Sequence, residues 1–130
     1  MTKIKTYFYY HLPWQLLMIF IFIQSSISNI KIPDFDFNLF DKIIHFLIYG
    51  ILAFLMARSF RIIKNKKLND CYIMFSTVIC ILYGASDEFH QSLVQGRFAS
   101  IYDWLADVIG VIFGVTIYFL IIKKSLNDGT

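Results

Sequence analysis

Four long apolar segments constrain the fold of this chain more than any other feature. The first reads LPWQLLMIFIFIQSSIS from Leu12 to Ser28, and the second IIHFLIYGILAFLMARSF from Ile43 to Phe60. The third reads CYIMFSTVICILYGAS from Cys71 to Ser86, and the fourth WLADVIGVIFGVTIYFLII from Trp104 to Ile122. Each approaches the ~20 residues a helix needs to cross a bilayer. The third is short and is expected to continue as helix through Gln91. Only helices and closed barrels cross lipid with every backbone group satisfied, and apolar runs without strict alternation favour helices. The expected fold is therefore an all-α integral membrane bundle of four transmembrane helices. Their expected bounds are about residues 12–28, 43–60, 71–91 and 103–122, within a single domain spanning residues 1–130.

Composition points the same way. Hydrophobic residues make up 58% of the chain and charged residues 16%, with a mean hydropathy of +0.62. A soluble domain of this size has too much surface to hide so much apolar material. The net charge of +3 is modest, and the basic residues are spread over several loops. Nucleic-acid binding calls for a basic face with readers for bases or phosphates, and none is seen. Cys71 and Cys80 fall in one expected helix. Nine residues at the helical rise put them on the order of 13 Å apart, too far for a disulfide.

The first segment has a rival reading. Lys3 and Lys5 precede an apolar core, and Ser26 and Ser28 resemble a signal-peptidase site. The length of the core, the polar Gln24 and the charge pattern favour a retained helix. With the N-terminus inside, Lys3, Lys5, Arg58, Arg61, Lys64, Lys66, Lys67, Lys123 and Lys124 are cytoplasmic. Of the twelve basic residues, only Lys31, Lys42 and Arg97 then lie outside. The positive-inside rule thus predicts that both termini are cytoplasmic.

That topology gathers the polar residues at one membrane face. Asp41, Lys42 and His45 fall at the outer end of the second helix, and Asp87, Glu88, His90 and Gln91 at the outer end of the third. Arg97 lies in the outer loop, and Asp103 and Asp107 begin the fourth helix. At about 100° per residue, Asp41 and His45 share a face. Asp87, His90 and Gln91 share another, with Tyr83, Cys80 and Ser76 below them, while Glu88 turns away, and simple solvation is its plainer reading. On the fourth helix Asp103, Ala106, Asp107, Gly110 and Gly114 share one arc. Small residues at four-residue spacing predict close packing against another helix, which turns the acids into the bundle. Asp107 lies about 6 Å deeper than Asp103 and needs a partner; Arg97, His45, His90 and Lys42 are the candidates. Plainer readings stand beside these: Asp41 and Asp103 as helix caps, DEFHQ as an amphipathic helix end, and Arg58 to Lys67 as a topology signal.

His45, Asp87, Glu88, His90, Asp103 and Asp107 are all chemically able to bind a divalent ion. No HExxH and no histidine pair at four-residue spacing is present, so no metal ligands are assigned and no cofactor is named. A serine nucleophile at Ser86, Ser92 or Ser100 lacks a supporting motif. His90 paired with Asp87 or Asp107 would suit metal-free acid–base chemistry, and Arg97 is suited to hold a phosphate or carboxylate.

DKIIH at Asp41 to His45, YGASDEFHQSLVQGR at Tyr83 to Arg97 and DWLADVIGVIFG at Asp103 to Gly114 together resemble the VanZ-like family of bacterial membrane proteins. The resemblance runs from about Asn29 to the end of the fourth helix and rests on three motifs in order. It maps onto Asp41, Lys42, His45, Asp87, Glu88, His90, Gln91, Gly96, Arg97, Asp103 and Gly110. This chain departs from the family pattern at Asp107, where the family usually has asparagine, and at Gln95 and Ala99, where it has prolines near the arginine. The resemblance implies a bacterial envelope protein of the cytoplasmic membrane and, through the founding member, a link to low-level teicoplanin resistance.

The residues and the resemblance support one leading expectation. It is an outer-leaflet site that binds or modifies an anionic lipid headgroup or a lipid-linked cell-wall precursor. His90, Asp87 and His45 are its catalytic candidates. Arg97, Lys42, Asp41, Glu88, Gln91, Asp103 and Asp107 are its substrate-binding candidates. Membrane lipids are the expected partners, with membrane proteins as further ones and no nucleic acid. Whether a reaction is catalysed stays open. The alternative is a non-catalytic accessory protein whose polar cluster clasps the helices together. Ion transport ranks last, because the middles of the four segments are apolar.

Overall fold

The computed structural model describes residues 2–28 and 39–128. Lys31, placed above on the outer side, lies outside the described residues. All regular structure among the described residues is helical. The elements are α1 (Lys3–Thr6), a π-helical stretch (Tyr7–His11), α2 (Leu12–Ser26), α3 (Leu39–Phe60), α4 (Lys66–Asp70), α5 (Tyr72–Leu93) and α6 (Ile101–Asn127).

The four apolar segments coincide with α2, α3, α5 and α6. Of these, α3 and α6 are long and apolar enough to cross a membrane by length and composition. In α5 the apolar run gives way to Asp87, Glu88, His90 and Gln91 before the helix ends. Several bounds differ from expectation. Helix begins at Lys3, where the Thr2 side chain accepts from the Lys5 N–H, and it ends at Ser26 instead of Ser28. The basic loop contains the short helix α4, started by Asn65, whose side chain accepts from the Leu68 N–H at 3.3 Å.

The tightest packing joins α3 to α6, and its cause is the small-residue face. A Cβ on Gly110 would overlap the carbonyl of Phe46, and one on Gly114 would overlap the carbonyl of Gly50. The two backbones therefore touch, as small residues at four-residue spacing allow. Leu52, Ala53, Met56, Val111 and Cys80 are fully buried around this seam. Cys80 and Cys71 are both free thiols.

The end of the bundle away from the acids is tied by Ser59 of α3. Its hydroxyl accepts from Trp14 Nε1 at 3.0 Å and is hydrogen-bonded to His11 Nδ1 at 2.6 Å. Arg58 lies over the rings of Tyr9 and Tyr10, and Arg61 over Tyr72. The Ser59 and Arg58 contacts lock the N-terminal segment onto α3, and Arg61 joins the end of α3 to α5. Tyr83 adds a third tie, its hydroxyl donating to the Met18 carbonyl at 2.7 Å.

Candidate functional site

The C-terminal turns of α2 and α5 and the N-terminal turns of α3 and α6 meet at one end of the bundle. Ten candidate residues from the sequence lie there. The structure divides them between the two sides of α5, because adjacent helix positions point about 100° apart.

Asp87 and Gln91 face α2. Ser25 donates its hydroxyl to Asp87 Oδ1 at 2.6 Å, and Gln91 Nε2 donates to Asp87 Oδ2 at 3.1 Å. Both acceptor atoms of the buried carboxylate are thus engaged. Gln91 Nε2 also reaches Ser25 Oγ at 3.4 Å, and Gln91 Oε1 accepts from Arg97 Nη1 at 3.5 Å. Arg97 itself turns to the C-terminus of α2. Its Nε donates to the Ile27 carbonyl at 3.0 Å and its Nη2 to the Gln24 carbonyl. Helix C-termini leave carbonyls short of intrahelical partners; Arg97 donates to those of Ile27 and Gln24, the latter also accepting from the Ile27 N–H at 3.3 Å. Gly96 makes this return possible, with φ at 80° in the left-handed region.

His90 lies beside this group and also contacts α2. Its Nε2 is hydrogen-bonded to Ser26 Oγ at 3.0 Å, and its ring stacks on Phe22 at 4.8 Å. No hydrogen bond among the described residues joins it to Asp87 or Asp107. Its chemistry is thus set apart from both carboxylates with which the sequence pairs it. Ser86 and Ser92 donate to carbonyls of their own helix, those of Tyr83 and Phe89. Neither hydroxyl is paired with a histidine.

On the other side of α5, Glu88 faces α3 and α6. The plainer of its two readings, simple solvation, is corrected: Glu88 is 7% exposed. Its turn away from Asp87 leads into α6, because that helix packs against this face of α5. The Ser100 N–H, at the start of α6, donates to Glu88 Oε2 at 2.8 Å. Asp107 is fully buried and accepts from His45 Nδ1 at 2.9 Å. That settles which of the four candidates partners Asp107. Gly84 makes room for the Asp107 carboxylate, since a Cβ there would lie 3.1 Å from Asp107 Oδ2.

Lys42 and Asp103 form an ion pair nearby. Asp103 sits in the first turn of α6, and the N-cap position belongs to Ser100. Asp41 likewise occupies the first turn of α3. Both acids lie where the helix dipole favours negative charge, so the capping reading is corrected to a first-turn position.

Four buried polar atoms in this second group have no hydrogen-bond partner among the described residues: Glu88 Oε1, Asp107 Oδ2, the Tyr49 hydroxyl and Asp103 Oδ1, of which the last is ion-paired with Lys42. Tyr49 is 1% exposed. His45, Glu88 and Asp107 each offer one ligand atom, and the three atoms lie within 4.8 Å of one another. Asp41, His45 and Asp103 make a second such trio. Neither trio has a sequence signature, because each combines residues from different helices. Ser25, Ser26, Tyr49 and Gly84 are participants that sequence reasoning missed. The only local signal for the serines was a polar pair ending an apolar helix.

Comparison with known proteins gives one result. No curated protein and no solved structure shows a significant match to the chain. The profile of the VanZ/LLP1 family matches residues 2–122, nearly the whole chain and every residue of the site described above, and the chain therefore belongs to the VanZ/LLP1 family.

Proposed function

We propose that the protein is a single-domain, four-span protein of the bacterial cytoplasmic membrane, with both termini in the cytoplasm. In this reading its polar end lies at the headgroup level of the outer leaflet. There it binds or modifies the phosphate-bearing headgroup of an anionic lipid or of a lipid-linked cell-wall precursor, and altered teicoplanin susceptibility is the phenotype to look for. The membrane reading is supported by an inverted distribution of polarity. Asp87, Glu88, Gln91, Asp103 and Asp107 are buried, while Leu16, Phe20, Leu47, Leu82, Phe113 and Leu120 are exposed. Water would reverse that arrangement, and lipid stabilises it.

The observation that carries the site reading is the set of unpartnered atoms on Glu88, Asp107 and Tyr49. A purely structural network has every member satisfied. The clasp reading is favoured by the other half of the cluster, where Ser25, Asp87, Gln91 and Arg97 satisfy one another. The two readings therefore divide the cluster: the α2 side holds the helices together, and the α3–α6 side is the place for a ligand.

The test is retention of lipid by the purified full chain, read by native mass spectrometry. Undecaprenyl phosphate and phosphatidylglycerol should each be retained over phosphatidylcholine, and whichever is retained more strongly identifies the class. Lys42→Gln, which removes the cation on this side of the cluster, should weaken that preference. Equal retention of all three lipids by the unaltered protein would exclude a headgroup site. The topology has its own check. An impermeant thiol reagent applied to intact spheroplasts should label a Ser92→Cys variant and leave native Cys71 unlabelled; the opposite pattern would invert the orientation.

A further inference from the structure

We propose that His45, Glu88 and Asp107 hold a divalent transition-metal ion of the Mn²⁺ or Zn²⁺ kind. The geometry points to it first. One ligand atom from each residue falls within 4.8 Å of the others, and the three side chains come from α3, α5 and α6. An ion at their centre needs only a small contraction to reach metal–ligand distances of about 2.0–2.2 Å.

A second, independent observation is the unpartnered oxygen on each acid. Glu88 Oε2 is taken by the Ser100 N–H and Asp107 Oδ1 by His45. The remaining atoms, Glu88 Oε1 and Asp107 Oδ2, have no partner among the described residues, although Glu88 is 7% exposed and Asp107 0%. Buried carboxylates are expected to be paired or to coordinate metal. Lys42, a nearby cation, is paired with Asp103, and Arg97 donates to the α2 carbonyls and to Gln91. A dication balances the two carboxylates of the trio where these cations do not.

The donor set narrows the ion. Two carboxylates and one imidazole suit Mn²⁺ and Zn²⁺, whereas Mg²⁺ and Ca²⁺ prefer oxygen alone. The second trio, Asp41, His45 and Asp103, is the weaker choice because Asp103 is already paired with Lys42. The His45 side chain is 15% exposed against 0% for Asp107, so the ion enters from the end of the bundle. Metal binding does not depend on the headgroup reading. If both hold, the ion supplies the positive charge that an anionic headgroup needs.

The test uses the full chain in detergent, with no lipid added. Protein is stripped with a chelator, loaded with Mn²⁺, passed through a desalting column and assayed by elemental mass spectrometry. The expected content is about one ion per chain, falling at least about tenfold in Glu88→Gln and Asp107→Asn, in line with loss of a ligand. Asp70→Asn, in α4 beyond the other end of α5, should keep the full content. Pulsed electron paramagnetic resonance of bound Mn²⁺ should show coupling to one imidazole nitrogen, absent in His45→Gln. An unaltered protein that retains no stoichiometric Mn²⁺ or Zn²⁺ overturns the proposal. So does bound Mn²⁺ without nitrogen coupling, or full retention by both carboxamide variants. The unaltered chain decides the matter even where a variant folds poorly.

Discussion

Arg97 joins the loop before α6 to the last turn of α2. Its guanidinium reaches the Gln24 and Ile27 carbonyls and Gln91 Oε1 together. A planar fork of donors suits three acceptors held at fixed positions. Arg97→Ala should therefore lower stability by ~1–3 kcal/mol, measured as thermal unfolding in detergent, and Arg97→Lys should recover only part of that. An arginine reserved for an external anion would leave unfolding unchanged on removal. Residue types and spacing identified Arg97 as a functional candidate but not its acceptors, since backbone carbonyls carry no sequence signal. Glu88 shows the same limit. Helical spacing separates it from Asp87, but spacing around one helix does not say which neighbour lies in each direction. On the side away from Asp87 lies α6, whose N-cap residue Ser100 supplies the N–H donor to Glu88.

At the scale of elements, the α3–α6 seam was legible and the placement of α2 was not. Ala106, Gly110 and Gly114 announce a face that must sit against another backbone, and the structure puts Phe46 and Gly50 there. This contact sets the distance between His45 on α3 and Asp107 on α6. Gly110→Val should force the two helices apart and destabilise the fold by at least ~1–3 kcal/mol. The same substitution should also lower any ligand or metal retention, because it displaces Asp107 from His45. Equal melting of the variant and the unaltered chain would show that the seam is not tight. By contrast, α2 is apolar from Leu12 to Ile23 apart from Gln15, so no face of it stands out as buried. Its orientation is fixed by partners elsewhere in the chain: Ser59 at one end, Tyr83 in the middle, and Asp87 with Gln91 at the other.

For the whole molecule, the fold reads as a bundle tied at both ends. One end is tied by aromatic and basic side chains around Ser59, the other by acids, serines and Arg97. The positions of the four long helices were legible because apolar runs fill them. The division of the polar end into a satisfied half and an unsatisfied half was not, since it depends on which helices lie on either side of α5. That division makes opposite demands on stability. A clasp residue must lower the melting temperature when altered, as Ser25→Ala should, by ~1–3 kcal/mol through loss of its bond to Asp87. A ligand-site carboxylate should not. Glu88→Gln and Asp107→Asn keep the oxygen that accepts from Ser100 or His45, and each removes one negative charge from a group in which carboxylates outnumber the cations Lys42 and His45. The decisive measurement is thermal unfolding of the full chain in chelator-treated detergent solution, comparing these two variants with the unaltered protein. A binding site predicts melting at or above the unaltered temperature for both. Melting several degrees below it for both would contradict the site and make the whole polar end a clasp.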